Sequence, residues 1–195
     1  MMDRLKEFRL ILASQSLRRR ELIGRLDIPF EIAEDFSFDE SYPPDMPADG
    51  VAGFLAGKKS DACPRKPGDR EILITADTMV KCQNRLIGKP EDMQDAKEML
   101  RKLSGRKHEV ITGVCIRSTV RKKIFSVFTN VFFADLSPGD IEYYVENYRP
   151  LDKAGAYGIQ EWIGYTGVER IEGSYYNVMG LPVSRLWKEL KSLID

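Results

Sequence analysis

Apolar residues along this chain fall into two alternating rhythms, short unbroken runs and helical periods. FRLILA (Phe8–Ala13) is a nearly continuous apolar run that predicts a first strand, bounded by Ser14-Gln15-Ser16. A helix is expected from about Leu17 to Leu26, then PFEIAED as a second strand. FSFDESYPPDMPADG (Phe36–Gly50) is rich in acid and proline and reads as a loop or flap. Helical spacing returns from about Asp49 to Cys63, where Val51, Phe54 and Leu55 share a face. EILITADTMVKC is a strand, apolar from Ile72 to Ala76, and QNRLIG makes a turn after it.

KPEDMQDAKEMLRKLSG predicts a helix, with Pro90 in its first turn, Glu91 and Asp92 suiting the dipole, and Gly105 at the C-terminal cap. HEVITGVCIRS and KKIFSVFTNVFFADLS read as long antiparallel strands joined near Thr119-Val120-Arg121. Ser137-Pro138 opens a helix running to about Tyr148, and an amphipathic helix spans about Val183 to Ile194. Pro150 to Pro182 is glycine-rich and aromatic, with weak periodicity and no element assigned. Strands alternating with helices, plus a long hairpin, predict an α/β fold with a mixed twisted sheet and flanking helices.

At 195 residues the chain suits one domain covering 1–195, or two lobes sharing a cleft. Thirty Lys and Arg balance thirty Asp and Glu, so no global field draws it to nucleic acid or an anionic membrane. Any anion site is therefore local. Three widely spaced cysteines, Cys63, Cys82 and Cys115, are expected to be reduced thiols of a cytoplasmic protein. The opening apolar run is too short for a signal peptide, and no stretch approaches the ~20 apolar residues of a membrane helix. His108 is the sole histidine, which excludes His-based triads and zinc sites. GKPED lacks the features of a phosphate-binding P-loop.

Against that neutral background, Arg18, Arg19 and Arg20 open the first helix, where the dipole disfavours cations by roughly 0.3–1 kcal/mol each. Arg18 and Arg19 extend the core stripe of Leu22, Ile23 and Leu26, whereas Arg20 points elsewhere, above Gly24, as a solvated residue would. A bound phosphate would reverse the penalty and take up the free N–H groups of the first turn. Asp77, the first charge after ILITA, lies where α/β folds place active-site groups, and a strand continuing through Val80 argues against a turn-forming role. Lys89 is expected just before a helix. Lys59 falls one turn after Leu55, with Lys58 toward Phe54, and Glu40 is a hard oxygen donor suited to magnesium. Each of these alone is an ordinary surface residue.

Together, LASQSLRRREL, ADTMV, GKP, LSGRKHEVITGV, DKAGAYGIQ and IEGSYYNVMGLP resemble the Maf family of nucleoside triphosphate pyrophosphatases, in the family's order from about Leu12 to Pro182. The resemblance implies two lobes around a nucleotide cleft, a fold related to the inosine-triphosphate pyrophosphatases, and a possible homodimer. It also implies hydrolysis of a nucleoside triphosphate to the monophosphate and pyrophosphate, assisted by a divalent cation, Mg2+ or Mn2+. On that basis Asp77 is the proton acceptor, and Ser14, Arg18, Arg19, Lys59 and Lys89 are the substrate-binding candidates. Glu40, or Asp39 with a one-residue shift, joins Asp77 as metal ligand. Arg18, Thr78 and Gln160 match the specificity positions of the branch acting on dTTP and UTP. Alternatives are the same reaction on another base, such as 7-methylguanosine triphosphate, or a nucleotide-binding inhibitor of septum formation without turnover. Leu17 departs from the family's usual proline, which would preorganise the first turn.

Overall fold

The computed structural model describes residues 2–194. Its elements run α1 (Met2–Lys6), β1 (Arg9–Leu12), α2 (Leu17–Gly24), β2 (Phe30–Ile32), α3 (Ala48–Ala62), β3 (Glu71–Cys82) and β4 (Arg85–Ile87). There follow α4 (Met93–Leu103), β5 (Lys107–Arg117), β6 (Lys122–Phe133), α5 (Pro138–Tyr148), a 3-10 turn at Ala154–Ala156, α6 (Trp162–Gly167), β7 (Val168–Glu172), α7 (Tyr175–Val178) and α8 (Val183–Ile194). The strands form one mixed sheet in the order β2-β1-β3-β5-β6-β7, with β4 also paired to β3. β1 is parallel to both neighbours, with Leu12 opposite Ile32 and Ile74. β3–β4 and β6–β7 are antiparallel. The expected mixed α/β architecture is thus present.

The chain divides into two compact units. The first comprises Met1–Asp77, Thr112–Val127 and Gly180–Asp195; the second comprises Thr78–Ile111 and Phe128–Met179.

In the first unit, Ile11, Ala13, Ala33, Cys63 and Leu73 form a buried cluster on which Phe36 packs. Each large aliphatic side chain removed from water there contributes about 1.5–3 kcal/mol. α3 meets the sheet through small residues, Ala52, Gly53, Ala56 and Gly57, all buried. Its approach to β5 is so close that a Cβ on Gly113 would stand 2.2 Å from the carbonyl carbon of Ala52. This small-residue face displaces Phe54, expected to share the core face with Val51 and Leu55. Phe54 is exposed instead, with the Lys58 ammonium over its ring.

In the second unit, α4 buries Ala96, Met99, Leu100 and Leu103, and α5 buries Ile141, Tyr144 and Val145. His108 lies edge-on to Phe133 and Tyr157, and its Nε2 is 2.7 Å from the Tyr157 hydroxyl. The Asn177 amide donates to Val110 O and to Thr129 Oγ1, both at 3.0 Å, tying α7 to the sheet.

The sequence-based boundaries need three corrections. The helix expected from Lys89–Pro90 begins at Met93, because the Asp92 carboxylate caps it by accepting from the Asp95 N–H at 2.8 Å. Lys89 therefore lies in the preceding loop and not at a helix N-terminus. QNRLIG is a turn only at Gln83 and Asn84, whose positive φ values reverse the chain; Arg85–Ile87 returns as β4. The unassigned stretch after Pro150 contains β7, α6 and α7.

Candidate functional site

The corner between β1 and α2 is built by serines. Ser16 is the N-cap of α2, its hydroxyl facing the Arg19 N–H at 3.5 Å, and Ser14 beneath it is buried. No acid occupies the first helical turn, where the arginines stand. Leu17 is 76% exposed, so leucine in place of proline costs no packing.

Arg19 is half-buried and turned inward. Its Nε donates to Gly180 O at 2.7 Å, and its Nη1 donates to Ala76 O at 2.8 Å and Ser14 Oγ at 3.4 Å. The geometry has a simple origin. β1 ends at Leu12, opposite Ile74, so β3 runs on without that neighbour and its Ala76 carbonyl is taken by the guanidinium. Gly180 presents its carbonyl from φ +110°, a conformation natural to glycine. Three distant motifs, LASQSLRRREL, ADTMV and the MGLP end of the last, thus meet at one side chain. Burial lowers the Arg19 pKa to about 10, while Asp77 counters that and Arg18 adds to it. Arg19 stays charged at neutral pH.

Asp77 is half-buried within the twelve-residue β3, past the last β1 pair. β3 continues to Cys82, so Asp77 is not a turn residue, as the sequence suggested. Arg18 is half-exposed and electrostatically coupled to Arg19. Arg20 turns back to Gln15 Oε1 and, at 3.5 Å, to Ser14 O, so it belongs to the strand–helix corner and not to a position above Gly24.

Lys59 is held by α3 with its ammonium 5.5 Å from the Phe38 ring centroid. Next to it, Lys58 donates to Asp39 Oδ2 at 2.7 Å and to Ser41 O at 2.8 Å. Lys58 and the Ser41 hydroxyl and N–H hold the Asp39 carboxyl well below the ordinary carboxylate range. Both Asp39 oxygens are therefore engaged, and adjacent Glu40 is exposed. The role of Lys58 in fastening this loop has no signature in the sequence beyond its lysine.

The remaining candidates lie in the second unit. Thr78 is half-buried on β3. Lys89 is exposed on the loop before α4, where Gly88 O accepts from the Gly155 N–H at 2.9 Å. That bond needs the left-handed Gly155 (φ +72°), since a Cβ there would lie 2.9 Å from a Val80 methyl. Gln160 is half-buried, and its side-chain oxygen Oε1 is buried with no hydrogen-bond partner.

Among the described residues no group of three or more His, Cys, Asp or Glu could hold a metal ion. Asp77 and Glu40 are hard oxygen donors, the kind that suits Mg2+ or Mn2+ shared with substrate phosphates and not a closed protein cage. No helix of the described residues is long and apolar enough to cross a membrane.

The arrangement has clear relatives. A dTTP/UTP pyrophosphatase of Porphyromonas gingivalis is 50% identical over 194 residues, 98% of this chain and 97% of that one. A dTTP/UTP pyrophosphatase of Bacteroides fragilis is 47% identical over 193 residues, 99% of this chain and all of that one. Among solved structures, the Staphylococcus aureus Ham1 protein overlaps 65% of this chain and 72% of its own, at 14% identity and a TM-score of 0.43. An overlap so partial bears on neither fold nor chemistry. The Maf-like protein family matches residues 9–193, and with relatives at such identity over nearly the whole length, the chain belongs to that family.

Proposed function

We propose that this chain hydrolyses dTTP and UTP to the nucleoside monophosphate and pyrophosphate. The observation that carries the reading is the mid-strand Asp77, next in the strand after Ala76, whose carbonyl the inward-turned Arg19 guanidinium holds at 2.8 Å. Two relatives of nearly the same length, at 47% and 50% identity, bear the name of that activity.

In the proposed reaction, a water oxygen bonds to the α-phosphorus as the bond from that phosphorus to the bridging oxygen breaks. Pyrophosphate leaves, and the water proton passes to the Asp77 carboxylate. Arg18, Lys59 and Lys89 offset the triphosphate and the charge developing on the departing pyrophosphate. Arg19 is mostly committed to backbone carbonyls, so it fixes the corner and the field around Asp77, leaving Arg18 as the phosphate contact of the two. Asp77 and Glu40 would hold a divalent cation, which supplies a lowered water pKa when bound. Base choice falls to Gln160, whose amide can accept from N3–H and donate to O4 of uracil or thymine, with Thr78 beside Asp77 in sequence. Action in the cytoplasm is supported by three buried, unpaired cysteines.

Product identification tests the reading: dTTP with Mg2+ or Mn2+ should give dTMP and pyrophosphate. Formation of dTDP and inorganic phosphate instead would refute it.

A further inference from the structure

Beside Gln160 the second unit contains a charged network that the proposed chemistry leaves unused. Lys153 is only 8% exposed, and its ammonium lies 2.7 Å from Asp152 Oδ1 and 3.2 Å from Glu161 Oε1. An ammonium this buried is retained only when paired. The second oxygen of Glu161 accepts from the Tyr144 hydroxyl, and that hydroxyl in turn accepts from the Gly158 N–H at 3.0 Å.

These contacts enclose one turn. The Glu161 N–H donates to Gly158 O at 3.0 Å, so the backbone closes Gly158 to Glu161. Tyr144 fastens the same two residues again, from the side. Gly158 permits this because the side chains fold over it: a Cβ there would stand 2.7 Å from Glu161 Cδ and 3.0 Å from Gln160 Nε2. Gln160 is the penultimate residue of the turn, and its buried Oε1 lacks a donor. An acceptor left this way is destabilising until something supplies an N–H. Lys153 and Tyr144 each engage one Glu161 oxygen and so compete with the Gln160 amide nitrogen for that carboxylate.

We propose that Tyr144, Lys153 and Glu161 are positioning residues that hold the Gln160 amide with its oxygen toward the N3–H of a uracil or thymine ring. The inference rests on the assignment of Gln160 to base selection. Released, the amide can turn over and offer its N–H2 to N3 of cytosine while its oxygen takes the cytosine amino group. Loss of the network should therefore favour CTP at the expense of UTP.

The test compares kcat and KM for UTP and CTP in wild type, Gln160→Ala, Tyr144→Phe and Lys153→Met, with Tm recorded for each. Tyr144→Phe and Lys153→Met should each lower the UTP-to-CTP ratio of kcat/KM by about 3- to 10-fold, the value of one ordinary hydrogen bond. The change should lie in KM, because base contacts are made alike in ground and transition states. Should Tyr144→Phe fail to fold, Lys153→Met combined with Glu161→Gln decides, because replacing both partners leaves no carboxylate stripped of its cation. A wild type without preference for UTP overturns the Gln160 assignment itself. If wild type discriminates and Gln160→Ala does not, an unchanged ratio in the folded network variants overturns this inference alone. So does an equal fall in kcat on both substrates.

Discussion

Arg18 and Arg19 are adjacent in the sequence, yet the structure gives them different tasks, and one pair of substitutions separates them. Arg19→Ala removes the donor from Gly180 O and Ala76 O, now bonded at 2.7 and 2.8 Å. Each acceptor stripped of its partner costs roughly 1–3 kcal/mol; partial access of water to this half-buried corner sets the expected total at about 2–4 kcal/mol. With each kcal/mol worth about 2–4 °C in a chain of this size, the variant should melt about 5–15 °C below wild type. Arg19→Lys keeps the charge, but one ammonium cannot reproduce a fork spanning two carbonyls, so little of that stability should return. Arg18→Ala, at a half-exposed position, should stay within about 1 kcal/mol of wild type while raising KM for dTTP. Calorimetry of the three variants, alongside dTTP turnover, reads both axes. An Arg19→Ala protein melting within about 2 °C of wild type would refute the brace, as would an equal loss in Arg18→Ala.

Burial lowers the His108 pKa to about 4 from an ordinary 6.5. The unfolded chain thus takes up the proton first, and stability is full above about pH 6.5 and lost as pH falls through 4, by about 3 kcal/mol in all. Urea unfolding at pH 7.5 and 4.5 should show that loss in wild type and not in His108→Gln; parallel curves would contradict it. Asp77→Asn should keep nucleotide affinity but lose ~10²–10⁴-fold in turnover, and more than a tenth of the wild-type rate would remove Asp77 as proton acceptor. Gly113→Ala places a methyl against the Ala52 backbone, which no rotamer change relieves. Chemical denaturation should show a loss of about 3 kcal/mol or more, and a near-neutral result would mean that α3 lies farther from β5.

What could be read from the sequence depended on which physical signal each element carries. β1, β3 and the β5–β6 hairpin announce themselves because buried strands are apolar for most of their length. β7 does not: Val168–Glu172 is an edge strand with exposed Glu169 and Arg170, so no hydrophobic run marks it. β4 was hidden because glutamine and asparagine, not asparagine and glycine, occupy the reversing positions at Gln83 and Asn84. At α4 two start signals competed, and the Asp92 side-chain cap won over Pro90. Of the candidate residues, Asp77 was legible from its place on a strand. The bracing role of Arg19 was not, because its partners are main-chain carbonyls 57 and 161 positions away, and a carbonyl leaves no mark in a sequence. The network around Gln160 was equally silent, since nothing in the order of residues says that Lys153 is buried.

The division between the two units falls at Asp77/Thr78, Ile111/Thr112, Val127/Phe128 and Met179/Gly180, three of these inside β3, β5 and β6. Neither unit is therefore a cassette that can be excised, shuffled or released by a protease as a working piece. On the ribosome the order is also fixed: Arg19 emerges early, but the glycine whose carbonyl it clasps is translated 161 residues later. The first unit, with its arginine corner, completes only after the second has been made, so nascent chains stalled before Gly180 carry the acid and the arginines without the clasp that arranges them.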